Sequence, residues 1–295
     1  MKELEQCTLC PLKCKVNRNK NELGRCRAGN KIQIGLYSLH YDEEPCISGE
    51  EGSGTVFFSN CNLKCEFCQN YKISCESKGE EISVDRLSEI FLEQQKNGAN
   101  NINLVTAVPY IPHIIEAIKI AREKGLHLPI LYNTSGYENI ETLKMLEGYV
   151  DIYLPDFKYY DNDLAMRLSK VKDYKEIASK AILEMKRQAG ENRYNEKGIL
   201  QKGLIIRHLV LPNNIQNSKD VLKWIKETLG ENATVSLMAQ YFPTYQAKED
   251  KLLNRKLTRK EYIEVENYLY MLGLENGYIQ ELGEHEEEYV PKWDV

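Results

Sequence analysis

Short apolar runs alternate with amphipathic segments along most of the chain from Thr55 onward. Six of these runs are continuous stretches of apolar residues, which is typical of strands covered on both faces of a parallel sheet. They span residues 55–59, 102–105, 128–132, 150–154, 203–211 and 234–238. Each of the first five precedes a segment in which apolar residues recur at helical spacing, as Leu87, Ile90 and Phe91 do. The pattern therefore predicts six βα units.

These units predict an α/β fold. Each unit has about 30 residues, which is the size of a βαβ repeat. Six such units favour a partial (β/α)6 barrel of the TIM type, although a doubly wound sheet has the same pattern. In both folds ligands bind at the carboxyl ends of the strands.

We expect three regions along the chain: a Cys-rich N-terminal extension (residues 1–52), the (β/α)6 core (residues 53–245), and a C-terminal helix with an acidic tail (residues 246–295). The last helix is expected to begin at Thr258, which can form a capping box with Glu261. The acidic run at residues 284–295 is expected to be a solvated tail.

Composition places the chain among globular proteins, because 42% of its 295 residues are hydrophobic and 28% are charged. No apolar run approaches the roughly 20 residues of a membrane span, and the first residues lack the hydrophobic segment of a secretory signal. The net charge of −5 argues against a nucleic-acid-binding protein, which usually carries a basic surface. We therefore expect a cytoplasmic protein that binds neither membranes nor nucleic acids.

All nine cysteines lie within the first 75 residues. Thiols stay reduced in the cytoplasm, so an odd number of closely spaced cysteines indicates metal ligands rather than disulfides. Residues 1–50 show no helical period. We expect them to form loops that something other than a hydrophobic core holds together.

Three of the cysteines follow the first predicted strand directly. Cys61, Cys65 and Cys68 form a C-x3-C-x2-C triplet, and thiolates at this spacing can converge on one soft metal centre. Three ligands leave one iron of a four-iron cluster open to an outside ligand, whereas electron-transfer clusters normally have four cysteine ligands. The alternatives are a structural zinc site and buried thiols without a metal.

The triplet and its position resemble the signature of the radical S-adenosylmethionine (SAM) superfamily, in which an aromatic residue such as Phe67 precedes the last cysteine. The resemblance covers nearly the whole chain. It rests on the segments EEPCISGEEGSGTVFFSNCNLKCEFCQN, NINLVTAVPY, LYNTSGY, VDIYLPDFKY and LIIRHLVLPN. These look like segments of an uncharacterised branch of the pyruvate formate-lyase activating enzyme-like proteins.

This resemblance implies a radical enzyme whose cofactors are a 4Fe–4S cluster and SAM. The open iron would bind the amino and carboxylate groups of SAM, and the reduced cluster would pass one electron to the sulfonium. The products would be methionine and a 5′-deoxyadenosyl radical that abstracts hydrogen from a substrate. The implied electron donor is a flavodoxin- or ferredoxin-like protein. The protein itself would position SAM, exclude water and set the cluster potential.

The resemblance also indicates residues that bind SAM. Asp156 and Lys158, after the fourth strand, match an Asp-x-Lys pair that contacts the cofactor in activating enzymes, and Arg207 resembles their arginine in strand five. Thr106 lies where many relatives carry Gly-Gly-Glu, a motif that holds the methionine amino group. The alternatives are an ion pair at the barrel rim for Asp156 and Lys158, and neutralisation by a structural carboxylate for Arg207.

The positions of the strands add further candidates. Asn133 and Ser135 follow the third strand and carry polar groups suited to a ribose or a carboxylate. A charged residue within the apolar run that contains Arg207 is costly to bury unless it faces a polar cavity, which favours a binding role. His208 lies on the opposite strand face, and we expect it to be a hydrogen-bonded core residue.

The N-terminal cysteines form a second pattern. Cys7, Cys10, Cys14 and Cys26 have the spacing C-x2-C-x3-C-x11-C, and four thiolates complete a tetrahedral shell. Such a site is closed, and it stabilises a segment too short to bury a core. Zinc and an auxiliary iron–sulfur cluster both fit four cysteines. The remaining two, Cys46 and Cys75, are expected to be buried free thiols.

Three functions remain open from the sequence. The first is hydrogen abstraction from a backbone glycine of a glycyl-radical enzyme, which would make the partner a protein substrate. The second is radical modification of a small molecule or of another polypeptide. The third is a metal-stabilised binding module without turnover. The identity of the substrate does not follow from the fold.

Overall fold

A mostly parallel sheet forms the centre of the computed structural model, which describes residues 1–283. The strands are β1 (Ile32–His40), β2 (Ser53–Phe58), β3 (Glu80–Ile82), β4 (Ile102–Val105), β5 (Ile130–Thr134), β6 (Ile152–Pro155), β7 (Arg193–Tyr194), β8 (Leu200–Leu204), β9 (Ile206–Leu209), β10 (Val235–Met238) and β11 (Gly277–Ile279). The helices are α1 (Pro45–Ser48), α2 (Tyr71–Ser74), α3 (Val84–Lys96), α4 (Ile111–Glu123), α5 (Ile140–Met145), α6 (Asn162–Ser169), α7 (Tyr174–Ala189), α8 (Ile215–Leu229) and α9 (Arg259–Met271).

The predicted α/β barrel core is confirmed. Strands β2, β4, β5, β6 and β8 pair in parallel in that order, and β9 pairs in parallel with β10. Helices α3, α4, α5, α7 and α8 lie between consecutive strands of this series. Their apolar faces and the outer face of the sheet form the main hydrophobic core. The carboxyl ends of the parallel strands therefore meet at one side of the barrel.

The fifth predicted strand, residues 203–211, is interrupted. It consists of β8, which pairs with β6, and β9, which pairs with β10, so the barrel wall divides into an eight-stranded and a three-stranded sheet. The Asn192 side chain accepts the N–H of Leu204 at 2.9 Å and so occupies a donor that a continuous ladder would use. An isolated parallel bridge between Asp156 and Arg207 joins the two sheets.

The expectation that residues 1–50 form only loops is wrong for residues 32–40. Strand β1 pairs antiparallel with β2 and with β3, and thereby extends the barrel sheet. Its buried residues Ile32 and Ile34 alternate with polar or small ones, which is the pattern of a half-buried strand. The sheet thus includes residues from both sides of the predicted boundary at residue 52.

The segment after β1 enters the barrel. Side chains of Asn100 and Asn101 donate to the carbonyls of Ser48 and Ile47, at 2.6 and 2.9 Å, and hold α1 at the start of β4. Ile47 packs inside the barrel against a small cluster formed by Leu131, Ile152, Leu154, Leu200 and Ile205. Side chains two residues apart on a strand share a face. Asn133, Asp156 and Arg207 each lie two residues after a member of this cluster, and they therefore face inward as well.

The C-terminal region contains the predicted helix and one further strand. Thr258 and Glu261 form the expected capping box at the start of α9. The unpredicted strand β11 pairs in parallel with β10 and brings Tyr278 to the barrel. The acidic run at residues 284–295 lies outside the described residues. Among the described residues, no helix combines the length and the apolar composition needed to cross a bilayer.

Candidate active site

A cavity of about 570 Å³ opens at the carboxyl ends of the barrel strands. Its lining includes every residue predicted for the cluster and for SAM. These are Cys61, Cys65, Phe67, Cys68, Thr106, Asn133, Ser135, Asp156, Lys158 and Arg207. The structure therefore brings together residues from five separate loops and strands, as expected for the carboxyl end of a parallel barrel.

The loop between β2 and α2 presents the three cysteines. Each sulfur has a polar neighbour. Cys61 accepts the N–H of Leu63 at 3.4 Å, Cys65 accepts the hydroxyl of Ser169 at 2.9 Å, and Cys68 lies 3.1 Å from the Ser74 hydroxyl. Hydrogen bonds to cluster sulfurs tune the potential of an iron–sulfur centre. The loop thus presents three thiols, each with a polar neighbour, to one cavity.

Burial controls the protonation of these thiols. Removal from water raises the pKa of Cys61 to about 12 and also raises the pKa of Cys65, although the charge of Lys158 opposes the rise at Cys65. Metal binding must therefore displace protons from this loop, because the thiolate is the ligand.

A fourth cysteine lies against the triplet. Cys75, expected to be a buried free thiol, is half-buried and hydrogen-bonded to Cys68. This bond raises the pKa of Cys68 and lowers the pKa of Cys75 to about 6. Cys46, in contrast, is buried as expected, and its thiol contacts the Tyr278 hydroxyl.

Arg207 connects the predicted SAM-binding residues. Its Nε lies 3.0 Å from Asp156 Oδ1, and its Nη2 donates to Asn133 Oδ1 at 2.6 Å. Lys158 Nζ lies 2.6 Å from Asp156 Oδ2. Burial alone would raise the pKa of Asp156, but the charges of Lys158 and Arg207 outweigh it and lower that pKa. Asp156 is therefore ionised at neutral pH.

Sequence reasoning missed three acidic residues of the cavity, Asp42, Glu43 and Glu44. Glu43 Oε2 lies 3.0 Å from Arg207 Nη1, and its Oε1 accepts the amide of Asn103 at 3.0 Å. Burial raises the pKa of Glu44, whose Oε2 has no hydrogen-bond partner among the described residues. The alternation in β1 is the signal that would have placed them at a strand end.

The remaining candidates have distinct surroundings. Thr106 has a φ of 62°, in the left-handed region, which costs a β-branched residue roughly 1–2 kcal/mol. The Ser135 carbonyl accepts the Tyr174 hydroxyl at 2.7 Å, and the Phe67 ring lies 6.2 Å from that of Tyr241. His208 is a hydrogen-bonded core residue, as expected, with partners Phe157 O at 2.7 Å and Ser218 Oγ at 2.8 Å.

The four N-terminal cysteines line a separate small pocket. Cys7, Cys10, Cys14 and Cys26 share its wall with Arg18 and Asn62. Within residues 1–283, no three Cys, His, Asp or Glu side chains are arranged to hold a single metal ion. The four cysteines therefore share a pocket but are not positioned around a single ion, and their metal stays a prediction.

Comparison with known proteins identifies the family. The model of the radical SAM superfamily matches residues 55–192. An uncharacterised protein of Methanocaldococcus jannaschii is 34% identical over 268 residues, which are 87% of this chain and 72% of that protein. This chain belongs to the radical SAM superfamily. Members of this family use a 4Fe–4S cluster and SAM, so the triplet and its cavity correspond to a known cofactor pair.

Other similarities to radical SAM enzymes are narrower. The pyruvate formate-lyase-activating enzyme of Clostridium pasteurianum is 26% identical over 113 residues, which are 37% of this chain and 46% of that enzyme. The FeFe-hydrogenase maturase HydG from Carboxydothermus hydrogenoformans superposes with a TM-score of 0.53 at 12% identity, over 78% of this chain and 53% of the maturase. The second similarity supports the barrel fold alone.

A buried carboxyl group fixes the loop that carries Ser135. Glu138 accepts hydrogen bonds from the hydroxyls of Thr134 and Tyr132, both on β5, and none of the ion pairs among the described residues involves it. Burial raises the pKa of Glu138 from 4.5 to about 7. The folded chain therefore binds this proton more tightly than the unfolded chain does.

This shift predicts a pH-dependent stability. The contribution of Glu138 is present in full below pH 4.5 and is lost as the pH rises through about 7. We expect the free energy of unfolding in urea to fall between about pH 5 and about pH 8, and Glu138→Gln, which cannot ionise, to remove much of that fall. Glu116→Gln, on the exposed face of α4, is the control. An equal fall in all three proteins would contradict the assignment.

Proposed function

We propose that this chain is an enzyme that cleaves SAM reductively and abstracts a hydrogen atom from a substrate bound in the same cavity. One observation carries the proposal: the cysteine triplet and the Asp156–Lys158–Arg207 network line a single cavity. A binding module without turnover has no need of a charged network beside an incompletely ligated metal site.

The residues of the cavity fit both cofactors. Cys61, Cys65 and Cys68 would hold the cluster, since each sulfur has a hydrogen-bonding neighbour. When bound, the cluster and SAM supply a one-electron reduction and a 5′-deoxyadenosyl radical. The polar amide of Asn133 and the hydroxyl of Ser135 remain the groups suited to the ribose.

The polar groups of the network suit the amino-acid end of SAM, whose amino and carboxylate groups would bind the open iron. Lys158 and Arg207 would contact the carboxylate, while Asp156 and Glu43 would accept hydrogen bonds from the amino group. These cations and carboxylates neutralise one another in the free protein. The network is therefore balanced before SAM binds, and no unpaired charge is buried in the free protein.

Apolar side chains protect the cavity from water. Leu63, Phe67, Val105 and Met238 line it beside the charged network. A water-poor cavity strengthens the electrostatic contacts to the ligand and keeps a reactive intermediate from solvent.

Removal of one triplet cysteine tests the proposal. After anaerobic reconstitution with iron and sulfide, dithionite and SAM should yield 5′-deoxyadenosine, measured by chromatography. Cys65→Ala should reduce the yield to that of the protein-free mixture, because the cluster loses a ligand. Cys46→Ala, a buried cysteine outside the cavity lining, is the control. Equal yields from Cys65→Ala and the parent protein would refute the radical mechanism.

Activation of a glycyl-radical enzyme is a second candidate. The partial similarity to an activating enzyme favours it, whereas Thr106 and its neighbours replace the Gly-Gly-Glu motif. Radical modification of a small molecule or another polypeptide is the alternative. Pyruvate formate-lyase is the probe: a glycyl-radical signal in its electron paramagnetic resonance spectrum supports activation, and its absence despite SAM cleavage excludes this lyase.

The reaction needs a one-electron donor, and we propose that an acidic, flavodoxin- or ferredoxin-like protein docks at the N-terminal segment. Residues 1–31 contain eight Lys and Arg residues, all of them exposed except Arg18, but only three Glu, in a chain with a net charge of −5. Asn62 lines the cysteine pocket of this segment, and its Oδ1 lies 3.7 Å from Cys61 Sγ. The basic surface therefore adjoins the loop of the catalytic cysteines.

Charge reversal tests the docking surface. Lys2 and Lys20 are exposed on segments joined by the hydrogen bond from Asn19 to the Met1 carbonyl at 3.0 Å. We expect Lys2→Glu combined with Lys20→Glu to raise the KM for reduced flavodoxin several-fold at low ionic strength, and salt to diminish the difference. The rate with dithionite, which needs no docking, should fall much less.

Lys180→Glu, at an exposed position of α7, provides the control for net charge. If this control raised the KM as much as the double variant did, the donor would respond to overall charge and the proposed surface would be wrong.

We also propose that the N-terminal quartet binds a second metal centre. The gathering of Cys7, Cys10, Cys14 and Cys26 around one pocket supports this. The amides of Leu12 and Ala28 hydrogen-bond to Cys10 and Cys26, in each case two residues beyond the cysteine. Amide donors of this kind stabilise thiolate ligands. Zinc and an iron–sulfur cluster both match four thiolates.

A further inference from the structure

Arg18 is the most unusual residue of the N-terminal segment, because its side chain is only 1% exposed. A buried guanidinium normally lies beside a carboxylate, since an unpaired charge is costly away from water. None of the ion pairs among residues 1–283 includes Arg18. The charge of Arg18 is therefore uncompensated by the described acidic side chains.

Neutral groups hold Arg18 in place. Its Nε donates to the Gly29 carbonyl at 2.8 Å, and its Nη1 donates to the Pro109 carbonyl at 2.6 Å. The guanidinium also lies 5.8 Å from the centre of the Tyr110 ring. These contacts fix the position of the cation, but none of them supplies a full negative charge.

The fixed guanidinium points at the cysteine quartet. Arg18 Nη1 lies 4.0 Å from Cys7 Sγ, and Arg18 lines the pocket with all four cysteines. No carboxylate lines this pocket, so no described side chain there supplies the negative charge that would balance the arginine.

A bound metal centre supplies the missing negative charge. Four thiolates with one Zn²⁺ ion, or with the +2 core of a 4Fe–4S cluster, carry two negative charges in total. Either centre would lie next to Arg18, in a pocket that also contains the apolar side chains of Leu9, Leu12 and Val108. The arginine then offsets one of the two charges.

We propose that Arg18 is the built-in counter-charge of an anionic tetrathiolate metal centre at Cys7, Cys10, Cys14 and Cys26. The inference rests on the second metal centre proposed above and assigns a positioning residue to it. Arg18 makes the pocket favourable only when it holds a doubly negative centre. It thereby couples metal binding to the folding of residues 1–31.

The residue has a matched control in the same pocket. Arg25 also lines it, but its side chain is exposed, so water already solvates its charge. Arg18→Met removes a buried charge at similar volume, Arg18→Lys retains a charge, and Arg25→Met removes an exposed charge.

The experiment uses the full chain with Cys61, Cys65 and Cys68 replaced by Ala, so that all bound metal belongs to the quartet. Elemental analysis and the visible spectrum distinguish zinc from an iron–sulfur cluster. Titration with a chelator then measures metal retention. We expect Arg18→Met to weaken retention by about 10- to 100-fold, as loss of a supporting group around metal ligands does. Arg18→Lys should be intermediate and Arg25→Met close to the parent.

Urea unfolding, measured with and without metal, distinguishes a counter-charge from a purely structural role of Arg18. Arg18→Met should lower the midpoint of urea unfolding with metal bound, but leave it unchanged or raise it after metal removal. An equal loss in both states would mean that Arg18 only braces the loop. Absence of metal from the parent triple variant would overturn the second centre itself, and radical cleavage by the triplet would be unaffected by that result.

Discussion

The buried ion pairs of Arg207 hold the active-site end of the barrel together. The barrel wall is interrupted between β8 and β9, just before this residue, and its bridge to Asp156 is the isolated ladder contact that joins the two sheets. The same guanidinium contacts Glu43, which lies on the segment between β1 and α1, and Asn133 on β5. One side chain thus determines how three parts of the fold meet. Because these charges are buried, loss of any partner would leave an uncompensated charge.

The chain contains two buried arginines with opposite surroundings. Arg207 is surrounded by carboxylates, and its region is electrically balanced before any ligand binds. Arg18 is surrounded by carbonyl groups and thiols and has no such balance among the described side chains. The first arrangement does not need a ligand to balance its charges. The second suits a ligand that must bring negative charge with it. The stability of the second site therefore depends more strongly on a bound ligand than the stability of the first.

Local patterns in the sequence were sufficient to predict the parallel core and the candidates at its strand ends. Continuous apolar runs mark strands that are buried on both faces, and the residues that follow them necessarily meet at one end of the barrel. Asp156 and Lys158 follow a predicted strand and were accessible to this reasoning, whereas their role and that of Arg207 came from the resemblance to activating enzymes. The cysteine triplet was accessible because its ligands are close in sequence.

Features that arise only from tertiary contact were not predicted. Glu43 acquires its partner from a residue 164 positions away, and no local spacing indicates that pair. The alternation that marks strand β1 is buried only at Ile32 and Ile34, and the rest of the strand depends on pairing with β2. Strand β11 has three residues, too few for any period to be visible. Cys75 is a free thiol as expected, but it is only half-buried, and its contact with Cys68 arises because α2 turns the chain back.

The position of β11 has a consequence for how the protein is made. Synthesis proceeds from the N-terminus, so all nine cysteines leave the ribosome long before Tyr278 and Gln280, which complete the cavity wall. Until β11 pairs with β10, the part of the cavity wall that these two residues supply is absent. The cavity that the triplet lines is therefore complete only after the C-terminal segment has folded.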